Sequence, residues 1–357
     1  MNSTRKTTTI LFLYSELAGY FLACLGELMK NDRLKIHVVH FKVNPDAPFR
    51  LEKPEGVFFY EREKYSPEEL RALVTWVAPD LIYCSGWIDK SYLSVCRSFK
   101  KRIAVVIALD NPWKGTLRQK VSVFLKPLIL NIFTHAWVAG KRQMTFAKNL
   151  GFTPEKIISG VYSGNTFFYQ SLYRKYREKK KINFPKKFLF VGRYARSKGT
   201  DLLADAFLEL KNETGHEWEL ICAGAGPEKK LISGQSKITD LGFIQTEKME
   251  AVIERSGVLI LPSRYEPWGL VVHEFASAGF PLICSDEVGA SELFLNEGVN
   301  GYSFRSGNKD SLKECMRKMI LRSDTELACM GDESSALGLQ QSPEKWSQKL
   351  ISLIQSE

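Results

Sequence analysis

The feature that most constrains the fold of this chain is an alternation of short β-branched runs with longer amphipathic segments. The strand candidates are ILFLYS, LKIHVVHF, GVFFYE, DLIYCSG, RIAVVIALD and THAWVAG in the first half, and KFLFVGR, WELICAGAG, KITDLGFI, GVLILPS and PLICSD in the second. Segments of helical periodicity separate most of them, for instance 17–30 and 67–78. This alternation is typical of parallel sheets covered by helices on both faces. Eleven strands exceed one ordinary sheet, so the sequence predicts an α/β protein with two Rossmann-like domains.

A basic run in the middle of the chain is the natural place for a boundary. The segment QSLYRKYREKKKINFPKK, 170–187, has no clear hydrophobic stripe and contains a proline near its end. We therefore expect an N-terminal domain at 1–168, a linker at 169–187 and a C-terminal domain at 188–340. Residues 341–357 are expected to form a helix that packs back on the N-terminal domain. Parallel sheets bind ligands at the carboxyl ends of their strands, so two such edges could face each other across a cleft.

Composition narrows the class of protein. A chain of 357 residues is long enough for two domains, and 44% hydrophobic with 25% charged residues is typical of a soluble globular protein. The seven cysteines are scattered without a CxxC pair, which favours reduced thiols in a cytoplasmic protein. No stretch approaches the ~20 apolar residues of a membrane span. The net charge of +10 indicates an acidic partner: anionic lipid, nucleic acid or a phosphorylated substrate.

A cluster of cations follows the first strand of the second half. In FLFVGRYARSKGTDLLADAF, a strand leads into a turn with Gly192, Arg193, Arg196 and Lys198, and a helix begins near Thr200. Cations beside a helix N-terminus favour an anion, although cations that merely solvate a loop would give the same pattern. The Walker pattern GxxxxGK[ST] is absent.

Glycines after the next strand do not complete a dinucleotide fingerprint. In LICAGAGPEKK, Gly224 and Gly226 follow the strand, but Lys229 occupies the third glycine position of GxGxxG. NAD binding is therefore disfavoured.

Two glutamates mark the segment SRYEPWGLVVHEFASAGFPL. Glu266 lies in the turn after GVLILPS, and Glu274 lies within an apolar helix that we expect to run from Pro267 to about Ala278. A carboxylate in such a helix needs a polar partner. Eight helical residues separate the two by about 12 Å, whereas a hydrolytic carboxylate pair needs ~5–9.5 Å. The spacing favours two carboxylates that grip different hydroxyl groups of one long ligand, with its phosphate at the helix N-terminus. A nucleotide-sugar is such a ligand.

The span from Phe188 to Phe304 resembles the donor-binding domain of retaining glycosyltransferases of the GT-B fold, family 4 (glycosyltransferases group 1). The motifs that carry the resemblance occur in order: GRYARSKG, AGAGP, LGFI, LPSRYEPWGLVVHE, VGASEL and GVNGYSF. The N-terminal half loosely resembles the acceptor domains of this family. The resemblance implies a hexosyltransferase (EC 2.4) of polysaccharide, lipopolysaccharide or glycoconjugate biosynthesis, with a nucleotide-sugar donor and a glycan or polyprenyl-linked acceptor.

The resemblance also implies roles for individual residues. Arg193 and Lys198 would neutralise the diphosphate, Glu274 would bind the ribose hydroxyls, and Glu266 would hold the donor sugar. No DxD-type metal site is evident, and the two cations would do the electrostatic work of a metal, so no metal or other cofactor is expected. The other donor-binding positions are Gly19, Gly192, Gly242, Phe243, Ile244, Ser263, Gly269 and Leu270. Of these, Gly242–Ile244 would flank the base through main-chain groups.

Further candidates carry less specific signals. Asp110 and Asn111 stand at the carboxyl end of a strand and Asn165 ends the first domain, where they would line the acceptor cleft. We expect the His273 side chain to point away from the ligand. Glu292 in VGASEL is a weaker candidate, since an exposed helical glutamate fits the same pattern.

Two other functions remain open at this point. A GT-B-fold nucleotide-sugar epimerase would share the architecture without an acceptor. A non-enzymatic basic protein on anionic membranes would explain the charge but not the donor motifs. No RRM, zinc-finger or helix-turn-helix signature is found, so nucleic acid is not an expected partner.

The segment WKGTLRQKVSVFLKPLILNIF, 113–133, combines cations with apolar residues. Such a segment can lie in the interface of an anionic bilayer, although Pro127 interrupts the helix and the part beyond it could be core. We expect a peripheral protein on the cytoplasmic face of the membrane.

Overall fold

The computed structural model describes residues 7–42 and 49–355. The chain divides into two compact units, one comprising Met1–Ser163 with Pro343–Glu357 and the other Gly164–Ser342. Each unit is built on one parallel sheet. Across the described residues, no helix is both long and apolar enough to cross a membrane.

The first unit is built on a parallel sheet with a largely buried interior. The strands are β1 Thr8–Glu16, β2 Leu34–Phe41, β3 Val57–Glu61, β4 Leu81–Cys84, β5 Ala104–Leu109, β6 His135–Val138 and β7 Ile157–Ser159. In the described part of the unit they form a seven-stranded sheet in the order β3-β2-β1-β4-β5-β6-β7, with parallel pairings. Every residue of β5 is buried, as expected for a strand covered by helices on both sides.

Helices connect these strands and cover the sheet. They are α1 Gly19–Leu28, α2 Pro67–Val77, α3 Lys90–Phe99, α4 Leu117–Phe124, α5 Lys126–Leu130, α6 Lys141–Asn149 and, from the end of the chain, α15 Pro343–Gln355. Ser66 and Glu69 start α2 with a capping box, which explains its sharp beginning. In α15 the Trp346 ring stacks on Trp137 with centroids 5.0 Å apart, and its indole N–H donates to the Val161 carbonyl at 2.9 Å. These contacts fix α15 in the first unit.

The second unit repeats this arrangement. Its strands are β8 Lys187–Val191, β9 Glu219–Ala223, β10 Ile238–Asp240, β11 Val258–Leu261, β12 Leu282–Ser285 and β13 Gly301–Phe304. The described strands follow the order β10-β9-β8-β11-β12-β13, again with parallel pairings. In each sheet the strand order reverses at the centre, between β1 and β4 and between β8 and β11. Such switch points open a crevice at the carboxyl ends of the strands, where α/β proteins bind ligands.

The helices of the second unit include the predicted linker. They are α7 Thr166–Ile182, α8 Thr200–Thr214, α9 Lys229–Ile232, α10 Met249–Arg255, α11 Leu270–Ser277, α12 Ser291–Phe294, α13 Lys309–Ile320 and α14 Asp324–Gly338. The prediction of a linker at 169–187 is wrong, because most of this segment belongs to α7 and Lys187 already begins β8. The buried residues Tyr169 and Leu172 lie early in α7, and the basic residues that follow obscure the hydrophobic stripe.

The eleven strands predicted from the sequence are all present among the described residues. The sequence does not predict β7 and β13, which have three and four residues. Both are edge strands. Glycine and serine interrupt their apolar residues, as they do in loops: IIS is followed by glycine, and GYSF begins with glycine and contains serine.

Candidate functional site

The turns that follow β8 and β11 form one structure at the switch point of the second sheet. The two strands are paired neighbours. The backbone N–H groups of Arg264 and Tyr265 donate to the Ser197 carbonyl, at 2.8 and 3.2 Å. The cationic turn and the glutamate turn identified in the sequence are therefore joined directly.

A close approach of the backbone shapes the turn after β8. Arg193 is exposed, Arg196–Lys198 form a short 3-10 turn, and α8 begins at Thr200 as predicted. Gly199 has φ 73°, and a Cβ at this position would lie 2.1 Å from the Pro262 carbonyl oxygen. Only glycine fits there. This contact places Lys198 beside the turn that follows β11.

Lys198 and Glu266 form an ion pair at this point. Lys198 Nζ lies 2.5 Å from Glu266 Oε2, and the side chains are 27% and 13% exposed. Ser263 Oγ donates to the same carboxylate oxygen at 3.4 Å. Partial burial strengthens this pair relative to a surface pair, because less water and salt screen it. The structure thus brings together two predicted catalytic residues and one predicted donor-binding residue.

The beginning of α11 differs from the prediction. The helix starts at Leu270 rather than at Pro267. The carbonyl groups of Glu266 and Trp268 accept hydrogen bonds from the loop after β12, at 3.1 and 2.7 Å, so they are engaged outside the helix. Gly269 precedes the helix at φ 90°, and a Cβ there would lie 2.9 Å from Glu266 Cγ. Gly269 therefore leaves room for the Glu266 side chain beside the first turn of α11.

Glu274 lies further along α11 and is mostly buried. Burial raises the pKa of Glu274 to about 7, and a hydrogen bond from the Tyr169 hydroxyl opposes that rise. Burial, together with the charge of Glu274, also raises the pKa of Tyr169, so its hydroxyl stays protonated and donates. Tyr169 was not predicted as a site residue from the sequence, because it lies in the segment 169–187 that was predicted to be a basic linker.

His273, the neighbour of Glu274, is part of the scaffold. Its Nδ1 accepts a hydrogen bond from the Gly164 N–H at 3.0 Å, and its Nε2 lies 2.9 Å from the Gly338 carbonyl oxygen. The ring stacks on Phe294 with centroids 4.3 Å apart. Burial lowers the pKa of His273 to about 4, so the ring is neutral and donates through Nε2. Glu292 lies in the first turn of the short helix α12.

The turn Gly242–Ile244 follows β10 at the same edge of the sheet. The Gly224 N–H donates to the Gly242 carbonyl at 2.8 Å, and the Gly192 N–H donates to the Ala223 carbonyl at 3.0 Å. Phe243 and its neighbours in the turn are partly exposed. The predicted donor-binding backbone at Gly192 and in this turn therefore lies at the ends of β8 and β10, on either side of β9.

The remaining predicted residues occupy strand and helix ends. In the first unit, Gly19 is the first residue of α1, and Asp110 follows β5. The Asp110 carboxylate accepts hydrogen bonds from Asn111 Nδ2 at 3.0 Å and from the Tyr162 hydroxyl at 3.3 Å. The prediction that Asn165 ends the first domain is wrong, because Asn165 belongs to the second unit, where its side chain caps α7. Within the described chain, no group of three or more His, Cys, Asp or Glu side chains could hold a metal ion.

Comparison with protein families confirms a resemblance to glycosyltransferases group 1 for most of the second unit. The family model of "Glycosyl transferases group 1" matches residues 173–330, somewhat less than half of the chain. An uncharacterized glycosyltransferase of Methanocaldococcus jannaschii, MJ1607, is 29% identical over 176 residues, which cover 45% of this chain and 44% of that protein. The alpha-D-kanosaminyltransferase of Streptomyces kanamyceticus is 32% identical over 120 residues, which cover 32% and 31% of the two chains. The matches thus span less than half of these curated relatives.

Solved structures resemble the whole chain. Anabaena Alr3699/HepE, solved in complex with UDP, has a TM-score of 0.72 at 19% identity, and the match covers 98% of this chain and 100% of that one. The same protein solved with UDP-glucose gives a TM-score of 0.69 over the same shares, also at 19% identity. At this identity the likeness establishes the fold. The two Rossmann-like units are those of the GT-B fold.

Proposed function

We propose that the protein is a retaining, metal-independent glycosyltransferase of family 4 that transfers a sugar from a nucleotide-sugar to a glycan or polyprenyl-linked acceptor. The observation that carries the proposal is the Lys198–Glu266 pair at the switch point of the second sheet. A diphosphate needs the cation, and sugar hydroxyls need the carboxylate. The family match and the likeness to a UDP-bound protein support the same assignment.

The proposed reaction depends on stabilising a departing nucleoside diphosphate. As the bond between the anomeric carbon and the phosphate oxygen breaks, negative charge grows on the diphosphate. Lys198 and Arg193 would face that charge beside the first turn of α11, and interactions that strengthen in the transition state increase turnover. An acceptor hydroxyl oxygen would bond to the anomeric carbon on the face that the leaving group vacates, and its proton would pass to the departing phosphate.

The two glutamates would hold different parts of the donor. Glu266 would accept hydrogen bonds from the sugar hydroxyl groups. The Lys198 ammonium beside it would interact with the diphosphate as well as with Glu266. Glu274, held on one side by the Tyr169 hydroxyl, would accept hydrogen bonds from the ribose. Above its raised pKa of about 7 the Glu274 carboxylate is ionised, and it then has acceptor capacity for two hydroxyl groups in addition to Tyr169, which matches a ribose diol.

A thermal-shift screen against nucleotide-sugars tests the donor assignment without knowledge of the acceptor. A ligand at 100 times its Kd should stabilise the protein by about 2.7 kcal/mol. We expect stabilisation by donors of one base and loss of that effect in Glu274→Ala. The matched control is Glu333→Ala, which removes an exposed glutamate of the same unit. No stabilisation by any nucleotide-sugar or nucleoside diphosphate would refute the assignment.

NMR of the transfer product tests the stereochemistry of the reaction. It would show whether the anomeric configuration is retained, and inversion would exclude the retaining reaction.

Release of the nucleotide in the absence of acceptor separates transfer from epimerisation. A transferase with a bound donor should turn over slowly until an acceptor is added, whereas an epimerase needs none. Rapid formation of an isomeric sugar without acceptor would favour the epimerase.

An exposed apolar surface in the first unit supports a membrane-associated acceptor. Among the described residues of α4 and α5 none is buried. Leu117 and Phe124 are 82% and 84% exposed. The α4–α5 surface comprises the exposed apolar residues Leu117, Val121, Phe124, Leu125 and Leu128. A water-exposed cluster of this kind is costly unless another apolar phase covers it.

Cations border the α4–α5 surface. Lys114, Arg118, Lys120 and Lys126 are all exposed, and each cation near an anionic bilayer contributes about 1 kcal/mol. We therefore propose that α4 and α5 lie in the interface of an anionic membrane on its cytoplasmic side. Apolar side chains would enter the headgroup region while the cations contact lipid phosphates.

The α4–α5 surface is tied to the predicted acceptor residues. Gln119, in the first turn of α4, donates through Nε2 to the Pro112 carbonyl at 2.7 Å and accepts from the Lys114 N–H at 2.8 Å. The loop held in this way follows directly on Asp110 and Asn111. An acceptor with a lipid anchor at α4 would therefore present its sugar end near these two side chains.

Co-sedimentation with liposomes tests the membrane proposal. Binding should rise with anionic lipid, fall with salt, and weaken in both Leu117→Ser/Phe124→Ser and Arg118→Glu/Lys120→Glu/Lys126→Glu. The matched control is Ile88→Ser, an exposed apolar residue outside the α4–α5 surface. Binding that is indifferent to lipid charge and to both variants would leave a soluble acceptor as the better assignment.

A further inference from the structure

Asp240, the last residue of β10, accepts hydrogen bonds from three separate parts of the second unit. Its Oδ1 accepts from the Tyr194 hydroxyl at 2.8 Å and from the Gly242 N–H at 2.9 Å. Its Oδ2 accepts from the Ser233 hydroxyl at 2.5 Å. The side chain is only partly exposed, so these bonds form with limited competition from water.

The three donors link the site across the sheet. Tyr194 belongs to the turn after β8, whereas Asp240 ends β10 and Gly242 follows it, and β9 lies between these strands. Tyr194 is itself held by backbone bonds to the loop after β9, donating to the Ala225 carbonyl at 2.8 Å and accepting from the Glu228 N–H at 3.0 Å. Asp240 therefore joins the phosphate turn, residues 192–198, to the turn Gly242–Ile244.

The charge state of Asp240 suits this arrangement. Burial by itself would raise the pKa of Asp240, but the hydrogen bonds from Ser233, Gly242 and Tyr194 together lower it below its ordinary value. Burial raises the pKa of Tyr194, so its hydroxyl remains a donor. An ionised carboxylate with three fixed donors makes strong hydrogen bonds and holds the turn in one position.

We infer that Asp240 is a positioning residue that sets the base preference of the donor site by fixing the turn Gly242–Ile244. The inference rests on the proposed function. A base that is read by backbone groups leaves no side-chain code, so the position of the backbone must itself provide the discrimination. A site that binds its ligand through hydrogen bonds discriminates strongly against an analogue only if its donor and acceptor groups are held in fixed positions.

Calorimetry with a panel of nucleoside diphosphates and inorganic diphosphate tests this inference. In Asp240→Ala, the ratio of the Kd values for the worst and the best base should fall by about 10-fold, the factor that accompanies loss of one or two hydrogen bonds. The affinity for inorganic diphosphate should stay within about 2-fold, since the turn 192–198 keeps its own backbone bonds. Asp240→Asn retains an acceptor at Oδ1 and should preserve most of the discrimination.

Two further variants keep the test decisive. Tyr194→Phe removes only the link across β9 and should reduce the base ratio even if Asp240→Ala fails to fold. The control is Asp332→Ala. Asp332 lies on α14, outside the turns after β8 and β10, and its carboxylate also accepts a hydrogen bond from a tyrosine hydroxyl, that of Tyr173 at 2.7 Å. Asp332→Ala should lower stability and leave the base ratio unchanged. An unchanged ratio of base affinities in both Asp240→Ala and Tyr194→Phe would overturn the inference about Asp240 but not the proposed function. Failure of the wild type to bind any nucleoside diphosphate would overturn the proposed function, and the inference with it.

Discussion

Replacement of Glu274 by glutamine should stabilise the protein at alkaline pH while it weakens the donor site. The folded protein holds the pKa of this carboxyl at about 7, mainly through burial, against an ordinary value of 4.5. The folded state therefore binds a proton between these two values that the unfolded chain has released. Its free energy of unfolding must fall as the pH rises through this window.

The magnitude follows from the same two values. A separation of about 2.5 between the folded and ordinary pKa corresponds to about 3 kcal/mol of unfolding free energy, as an upper limit. The favourable contribution of the neutral carboxyl is complete below pH 4.5 and is lost above pH 7. Glutamine is neutral at every pH and avoids this loss. Glu274→Gln should thus gain up to about 3 kcal/mol at pH 8.5 and less than about 0.5 kcal/mol at pH 4.5.

Urea unfolding at pH 4.5 and pH 8.5 measures the effect. The control is Glu333→Gln, which replaces an exposed carboxylate of α14 and should show little change at either pH. Calorimetry at pH 8.5 should show weaker nucleoside diphosphate binding by Glu274→Gln in spite of its greater stability. A stability difference between Glu274→Gln and wild type that is the same at both pH values would refute the reasoning.

Five other variants and one treatment examine the rest of the site. Lys198→Ala and Arg193→Ala should each reduce turnover by about 100-fold or more, as loss of one oxyanion donor does in other enzymes. Near-normal turnover in both variants would refute the assignment of these residues to the diphosphate. Glu266→Ala should reduce turnover more than affinity for the free nucleotide, whereas Glu274→Ala should reduce that affinity; calorimetry would reveal reversed roles. Gly269→Ala forces a Cβ to within 2.9 Å of Glu266 Cγ and should lower both stability and turnover, and an unaffected variant would contradict the packing described. EDTA should leave turnover unchanged, whereas loss that Mg²⁺ restores would refute metal independence.

The strands and their turns could be predicted because each depends on residues close in sequence. Apolar runs such as GVLILPS indicate buried strands, and the residues at the ends of these runs are therefore predicted to lie in the turns. The contact between Lys198 and Glu266 could not be predicted in this way, because it depends on the pairing of β8 with β11. Sheet order is a property of the whole unit.

The residues whose structure differs from the prediction also depend on distant contacts. Pro267 suits the first turn of a helix, but bonds from the loop after β12 hold Glu266 and Trp268 outside α11. Tyr169 was missed because the partner that reveals its role, Glu274, is on another helix. Asp240 lies in the middle of the strand candidate KITDLGFI, and only the structure places it at the carboxyl end of β10.

Calorimetric titration of the wild type with the nucleoside diphosphate found in the donor screen tests the central claim most directly, in parallel with Lys198→Ala and Glu274→Ala. At pH 8.5, where Glu274 is ionised, the account predicts saturable one-to-one binding by the wild type and at least about 10-fold weaker binding by Glu274→Ala, the loss expected for hydrogen bonds to a charged group. Binding of equal strength in all three proteins would place the nucleotide elsewhere and contradict the assignment of the site.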